Sequence, residues 1–280
     1  MAFGLVVAFL VVQVVAGLVT GSLALLSDAG HMATDAIGIG MALAAIHLAS
    51  RAQTRSQRTF GLYRLEILAA LANSVLLFGV AIYVLVEAAI RLGNPEEVPS
   101  LTVLAVATIG LFVNLVSFRL LRAGAAESLN VEGAYVEVLA DLLGSIGVMV
   151  AASVMWLTGW EWVDPVVGAA IGVFILPRAF RLGRDALRII LQEAPEGMDL
   201  EGIASDLESI EGVVGVHDLH VWTLTSEMDV LTAHVMTVAG ADSHAVLDRA
   251  RSMLETSHRI SHATLQVEPE THRGCEELTW

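Results

Sequence analysis

Two pairs of ionisable residues interrupt the most apolar parts of this sequence. His31 and Asp35 lie four apart in SDAGHMATDAIGIG (residues 27–40), and Glu137 and Asp141 lie four apart in VEVLADLLGS (residues 136–145). On an α-helix, positions i and i+4 share a face, so each pair can converge on one point. A carboxylate at bilayer depth costs at least ~2.5–3.5 kcal/mol on insertion scales, so such residues face a bundle interior, a cavity or an ion. Two facing pairs supply four N/O ligands, which suits tetrahedral Zn²⁺ at about 2.0–2.2 Å. Asp28 also belongs to the first stretch; it reads as a helix-end residue reaching water or an arginine.

The elements that must hold these pairs are membrane spans. The chain is 55% hydrophobic and 16% charged, with mean hydropathy +0.69, whereas a soluble domain carries about 25% charge. Segments 1–27, 67–86, 98–118 and 142–160 are each near the length needed to cross roughly 30 Å of hydrocarbon. The polar-interrupted segment 28–50 is a fifth span. Segment 165–177 is a short sixth, with Trp160 and Trp162 at one interface and Arg178 and Arg181 snorkelling at the other. Residues 1–27 are too long for a signal-peptide core and read as a retained helix.

All fifteen basic residues are arginine, and they set an orientation. Arg51, Arg55, Arg58 and Arg64 follow span two, Arg119 and Arg122 follow span four, and Arg184 and Arg188 continue the basic end of span six. The opposite loops hold Glu96, Glu97, Glu161 and Asp164. By the positive-inside rule both termini are cytoplasmic. The single Cys275 excludes an internal disulfide framework.

Near LQEAPEGMDLEG (191–202) the composition turns soluble and acidic. Much of the net charge of −15 lies beyond it, which argues against nucleic acid or an anionic lipid surface as partner. DLEGIASDLESIEG has helical spacing, VVGVHDLHVWTLT and DVLTAHVMTV read as strands, DSHAVLDRARSMLETS as a second helix and HATLQVE as a third strand. The expected architecture is therefore an α-helical membrane protein with six transmembrane helices (1–190), a small cytoplasmic α-β-β-α-β domain (195–270) and a tail (271–280).

At this point GSLALLSDAGHMATD, RTFGLYRLEILAALAN, AYVEVLADLLGS and GVHDLHVWTLTSE, in that order over almost the whole chain, resemble the cation diffusion facilitators, in their zinc, cobalt and cadmium exporter branch. The resemblance implies a homodimer of six-helix protomers in a bacterial-type plasma membrane, with a metallochaperone-like cytoplasmic domain and export of metal in exchange for protons. It implies a transporter and not an enzyme, with no cofactor beyond the transported ion. The family's transport site falls on His31, Asp35, Glu137 and Asp141. Its cytoplasmic metal site falls on His217, His234 and Glu268, with His262, two-periodic with Glu268, as a possible fourth ligand and His244 as a weaker one; solvated histidines are the competing reading.

Three departures from the family pattern stand out. Glu137 replaces a usual His, giving one imidazole and three carboxylates, a harder set that leaves Mn²⁺, Fe²⁺ and Co²⁺ open beside Zn²⁺. The loop RAQTRSQRTFGLYR holds no His, Cys, Asp or Glu, so the second site that some relatives build there is missing. The chain also begins almost inside its first helix. An intramembrane metalloprotease is a rival of another class, but it wants an H-E-x-x-H helix, and that string does not occur. A channel is a third reading, against which paired ligands favour stepwise carriage.

Elsewhere the residues read as structural. Glu87 and Arg91 form an i,i+4 pair, and Gly17 and Gly21 offer a small-xxx-small packing face. Gln13, Asn73 and Asn114 are suited to hydrogen bonds between helices. Regular strand alternation puts His217 and His220 on opposite faces. Cys275 with His272 reads as incidental, and His47 as interfacial.

Overall fold

In a computed structural model of the protein, six long helices precede a small α/β domain. The description covers the backbone of residues 2–51, 59–122, 129–225 and 228–272; the side chains of Asp35, His47 and Glu137, and all of Cys275, lie outside the described residues. The helices are α1 (Ala2–Thr20), α2 (Leu23–Arg51), α3 (Arg64–Gly93), α4 (Ser100–Arg122), α5 (Leu129–Thr158) and α6 (Val163–Ile190). Four of them have stretches long and apolar enough to cross a membrane among the described residues, and Gly4–Thr20 is a shorter apolar helix. Val19, Leu157 and Phe174 point outward, as a lipid-facing surface requires. The chain is a multi-pass membrane protein.

The first helix ends earlier than its apolar run suggests. Gly21 takes φ +69°, a left-handed conformation that glycine adopts without steric cost, and α2 begins two residues later. Its orphan N–H groups are satisfied from another helix. Asp164, in the first turn of α6, accepts from the backbone of Leu23 (2.6 Å) and Ala24 (3.4 Å) and from Ser22 Oγ (2.5 Å). Arg91 of α3 donates to the Gly21 carbonyl and to Glu87 Oε1 at 2.9 Å. Gly21 is thus a turn residue, not part of a packing stripe, whereas Gly17 does meet α2: a Cβ there would lie 2.8 Å from Leu26 Cδ2.

The packing of these helices divides into two apolar groups. Phe9, Leu25, Met32, Val103, Val106, Val148 and Met155 join α1, α2, α4 and α5, while Leu77, Ala81, Ile175 and Ala179 join α3 to α6. Helix α6 is far longer than the 13-residue span that its hydropathy suggests. It runs through Pro177, which lacks a backbone donor, and on past Arg178 to Ile190.

By internal contacts the chain forms two compact units, one of residues 1–44 and 69–183, the other of 45–68 and 184–280. In the second unit α7 (Leu200–Glu208), β1 (Val213–Thr225), β2 (Met228–Thr237), α8 (Ser243–His258) and β3 (His262–Pro269) follow in the expected α-β-β-α-β order. Strand β2 is central, antiparallel to β1 and parallel to β3. Asp199 and Asp242 cap α7 and α8 with side-chain acceptors. Ile203, Leu207, Leu231 and Leu254 fill the core between sheet and helices. Alternating strands and amphipathic helices bury their apolar faces on each other, which is why this order was legible.

Candidate metal centres

The first centre lies within the helices. His31, eight residues into α2, and Asp141 on α5 are both buried, at 7% and 5% exposure, and His31 Nε2 is 3.7 Å from Asp141 Oδ1. Their helical partners Asp35 and Glu137 are one turn away along α2 and α5, with side chains outside the description. Close helix approach positions His31: at the adjacent Gly30 a Cβ would lie 2.5 Å from Val80 Cγ1 of α3. Thr34 Oγ1 donates to the His31 carbonyl at 2.7 Å.

A cation approaches this centre from a third helix. Arg178 Nη1 of α6 is 3.4 Å from His31 Nε2. Hydropathy alone places Arg178 at the membrane interface. Because α6 continues as helix past Pro177, the residue is carried onto an inner face. Neither hydropathy nor spacing signals that.

Asp28 also departs from expectation. It is a turn inside α2, 2% exposed, and accepts from Gln13 Nε2 of α1 at 2.6 Å. Gly144 of α5 makes room for it, since a Cβ there would meet Asp28 Oδ1 at 2.6 Å. Once the α1–α2 break is fixed at Gly21 instead of near residue 27, Asp28 can no longer be a boundary residue. Asn114 Nδ2 bonds Ser145 Oγ at 3.1 Å, the interhelical role expected of it, and the Asn73 amide packs on Gly38.

The second centre belongs to the sheet. His217 sits opposite His234 on β1 and β2, with ring centroids 5.0 Å apart. Glu268 from β3 reaches both, with Oε1 2.9 Å from His217 Nε2 and Oε2 3.6 Å from His234 Nδ1. One ligand atom from each of the three lies within 4.8 Å of the others, and Gln266 Nε2 donates to Glu268 Oε2 at 3.0 Å. His262 does not join them. It pairs with Val230, six residues and about 20 Å of strand from Glu268, and its ring meets Phe60 edge-on at 6.1 Å. Nor does His244, which opens α8 with its backbone N–H donating to Asp242.

A bulge changes the strand geometry around this centre. Between His217 and His220 β1 advances three residues while β2 advances two, from His234 to Thr232, and Asp218 takes φ +53°. An extra residue of this kind resets the alternation, so His217 and His220 fall on the same face, contrary to the regular-strand reading. Asp218 then lies between two imidazoles, 3.1 Å from His220 Nε2 and 3.9 Å from His234 Nε2. Sequence reasoning missed Asp218, and a one-residue bulge leaves no periodic signal by which to find it.

Residues 1–191 match the cation efflux transmembrane domain family, and residues 195–270 match the cation efflux protein cytoplasmic domain family. The chain belongs to the cation efflux family. Among its relatives, the metal cation efflux system protein CzcD of Cupriavidus metallidurans is 45% identical over 93% of this chain and 82% of its own length. The zinc transporter ZitB of Escherichia coli is 38% identical over 98% of this chain and 87% of its own. The cadmium, cobalt and zinc/H(+)-K(+) antiporter of Bacillus subtilis is 35% identical over 96% and 88%. Among solved structures, the metal-bound C-terminal domain of the CzcD transporter covers 25% of this chain and 99% of its own at 35% identity, with a TM-score of 0.25. The six-helix membrane part with a small cytoplasmic α/β domain is thus the architecture of a cation efflux protein.

Proposed function

We propose that this cation efflux protein exports divalent transition metals, Zn²⁺ foremost with Cd²⁺ and Co²⁺, in exchange for protons. The ion is carried on His31, Asp35, Glu137 and Asp141. The observation that carries the reading is the buried approach of His31 to Asp141 across α2 and α5, with a carboxylate one turn from each. The printed names of the relatives, zinc transporter and cadmium, cobalt and zinc antiporter, support the same cargo and the coupling.

Ligands bind metal in their deprotonated forms, so each entering cation releases the protons that the empty site carries. Opened to the opposite side, the site exchanges metal for protons again. Movement of helices around a fixed midplane site supplies alternating access in transporters of many folds. The arginine distribution supports a cytoplasmic location for both termini and for the α/β domain, within a bacterial-type plasma membrane. That domain, residues 195–270, serves a homodimer and senses metal through His217, His234 and Glu268, while residues 1–190 transport.

One imidazole to three carboxylates supports a second reading, an exporter preferring Mn²⁺ or Fe²⁺, since carboxylate is the harder ligand. Flux of Zn²⁺, Cd²⁺, Co²⁺, Fe²⁺ and Mn²⁺ in proteoliposomes, with and without a pH gradient, separates the two. Zn²⁺ flux driven by an opposing proton gradient is expected. Flux of Mn²⁺ or Fe²⁺ alone moves the cargo to the second reading, and flux indifferent to the gradient removes proton exchange.

A further inference from the structure

We propose that Arg178 is a resident counter-cation of the transport site, holding His31 while the site is empty and offsetting its third carboxylate when metal is bound. The inference rests on the transport-site reading above.

A guanidinium has donors only. Its Nη1 stands 3.4 Å from His31 Nε2, on the edge of the ring where that nitrogen's lone pair would be offered. A metal ion needs that same lone pair, at about 2.0–2.1 Å. Arginine and metal exclude each other at Nε2, so loading the site means moving Arg178 aside. The side chain is only partly buried, on a long flexible stem that permits the movement. While it stays, it holds the place beside Nε2 that the ion would take.

Charge counting gives the second half of the role. Asp35, Glu137 and Asp141 carry three negative charges when deprotonated, and a divalent ion returns two. One negative charge would remain in a buried place, where an unbalanced charge is costly. Arg178 supplies the missing positive charge, and because arginine stays protonated throughout, its charge moves without titrating. Two imidazoles with two carboxylates would balance a divalent ion unaided. Glu137 creates the need that Arg178 meets.

The test compares Arg178→Met, Glu137→His and the double variant with the parent. Each is made in the full chain carrying His217→Ala and His234→Ala, so that the cytoplasmic cluster does not contribute. Zn²⁺ affinity is measured by chelator competition, and KM and maximal rate in proteoliposomes. Arg178→Met removes a competitor and a repelling charge, so Zn²⁺ should bind about tenfold tighter with a lower KM and a several-fold lower maximal rate, because release is slowed. Glu137→His alone leaves the arginine charge against two carboxylates and should weaken binding about tenfold. The double variant should return to near parental affinity and rate. Arg178→Lys keeps the charge and should stay near the parent. Should Arg178→Met not fold, Arg178→Gln makes the same neutralisation at similar size and is expected to give the same shifts. Unchanged or weaker Zn²⁺ binding on neutralising Arg178, or a double variant no better than Glu137→His, overturns the proposal. If Asp141→Ala still transports, the transport-site reading itself fails; if Asp141→Ala is inactive while Arg178 is indifferent, the site stands and only the counter-cation role falls.

Discussion

The two candidate centres use the same ligand chemistry on opposite kinds of scaffold. Between α2 and α5, ligands come in i,i+4 pairs, so one helical turn already fixes half a coordination sphere. In the sheet the three ligands come from three strands, separated by 17 and 34 residues from His217 to His234 to Glu268, and no local rule joins them. Their surroundings differ as well. His31 and Asp141 are buried among apolar helices, where every charge needs a partner. His220 and Asp218, at the margin of the sheet cluster, have side chains 56% and 42% exposed, so water shares the electrostatic work. Removing a charge should therefore matter far more in the first centre than in the second.

The strongest break of this contrast is Asp141→Ala. It deletes one of four proposed ligands beside His31, and Zn²⁺ flux in proteoliposomes should fall to about a hundredth or less. Near-normal flux would remove the intramembrane centre from the account.

Next in size is the paired change His217→Ala with His234→Ala. In an Asp141→Ala background, Zn²⁺ binding measured by calorimetry should weaken about 10- to 100-fold. With the helices intact, export should decline without being lost. No metal binding in the Asp141→Ala parent would mean that the sheet histidines are simply solvated.

A packing change probes the buried side of the comparison. Gly144→Ala would push a methyl to 2.6 Å from Asp28 Oδ1 and strain its bond to Gln13, lowering stability by about 1–3 kcal/mol. Gly147→Ala, whose methyl would meet, among the described residues, Val167 alone at 3.9 Å, should unfold at or above the parental temperature. Equal thermal unfolding of the two variants would show that Asp28 is not confined as described.

The smallest effect is expected from Asp218→Asn. Asparagine tolerates the left-handed conformation, so the bulge should survive. Loss of the charge should change Zn²⁺ affinity at the sheet cluster only about threefold, the scale of an exposed ion pair. A change as large as that of His217→Ala would make Asp218 a ligand.

Much of the molecule follows from local pattern. Apolar runs announce the membrane helices because hydrocarbon admits only internally bonded backbone, and His31 with Asp35, and Glu137 with Asp141, fall on shared faces by helical geometry alone. Alternation and amphipathic spacing likewise gave the α-β-β-α-β order of the soluble domain. What tertiary structure decided is whatever depends on a second element. The start of α2 is set by Asp164 of α6, and the burial of Asp28 by Gln13 of α1 and the space at Gly144. Arg178 meets His31 because α6 continues through Pro177. The sheet cluster exists because β2 lies between β1 and β3, and a single extra residue at Asp218 brings His220 and Asp218 to its margin. Local sequence sets what each element can present, since backbone geometry repeats with a fixed period; which groups meet is set by packing, which has no period along the chain.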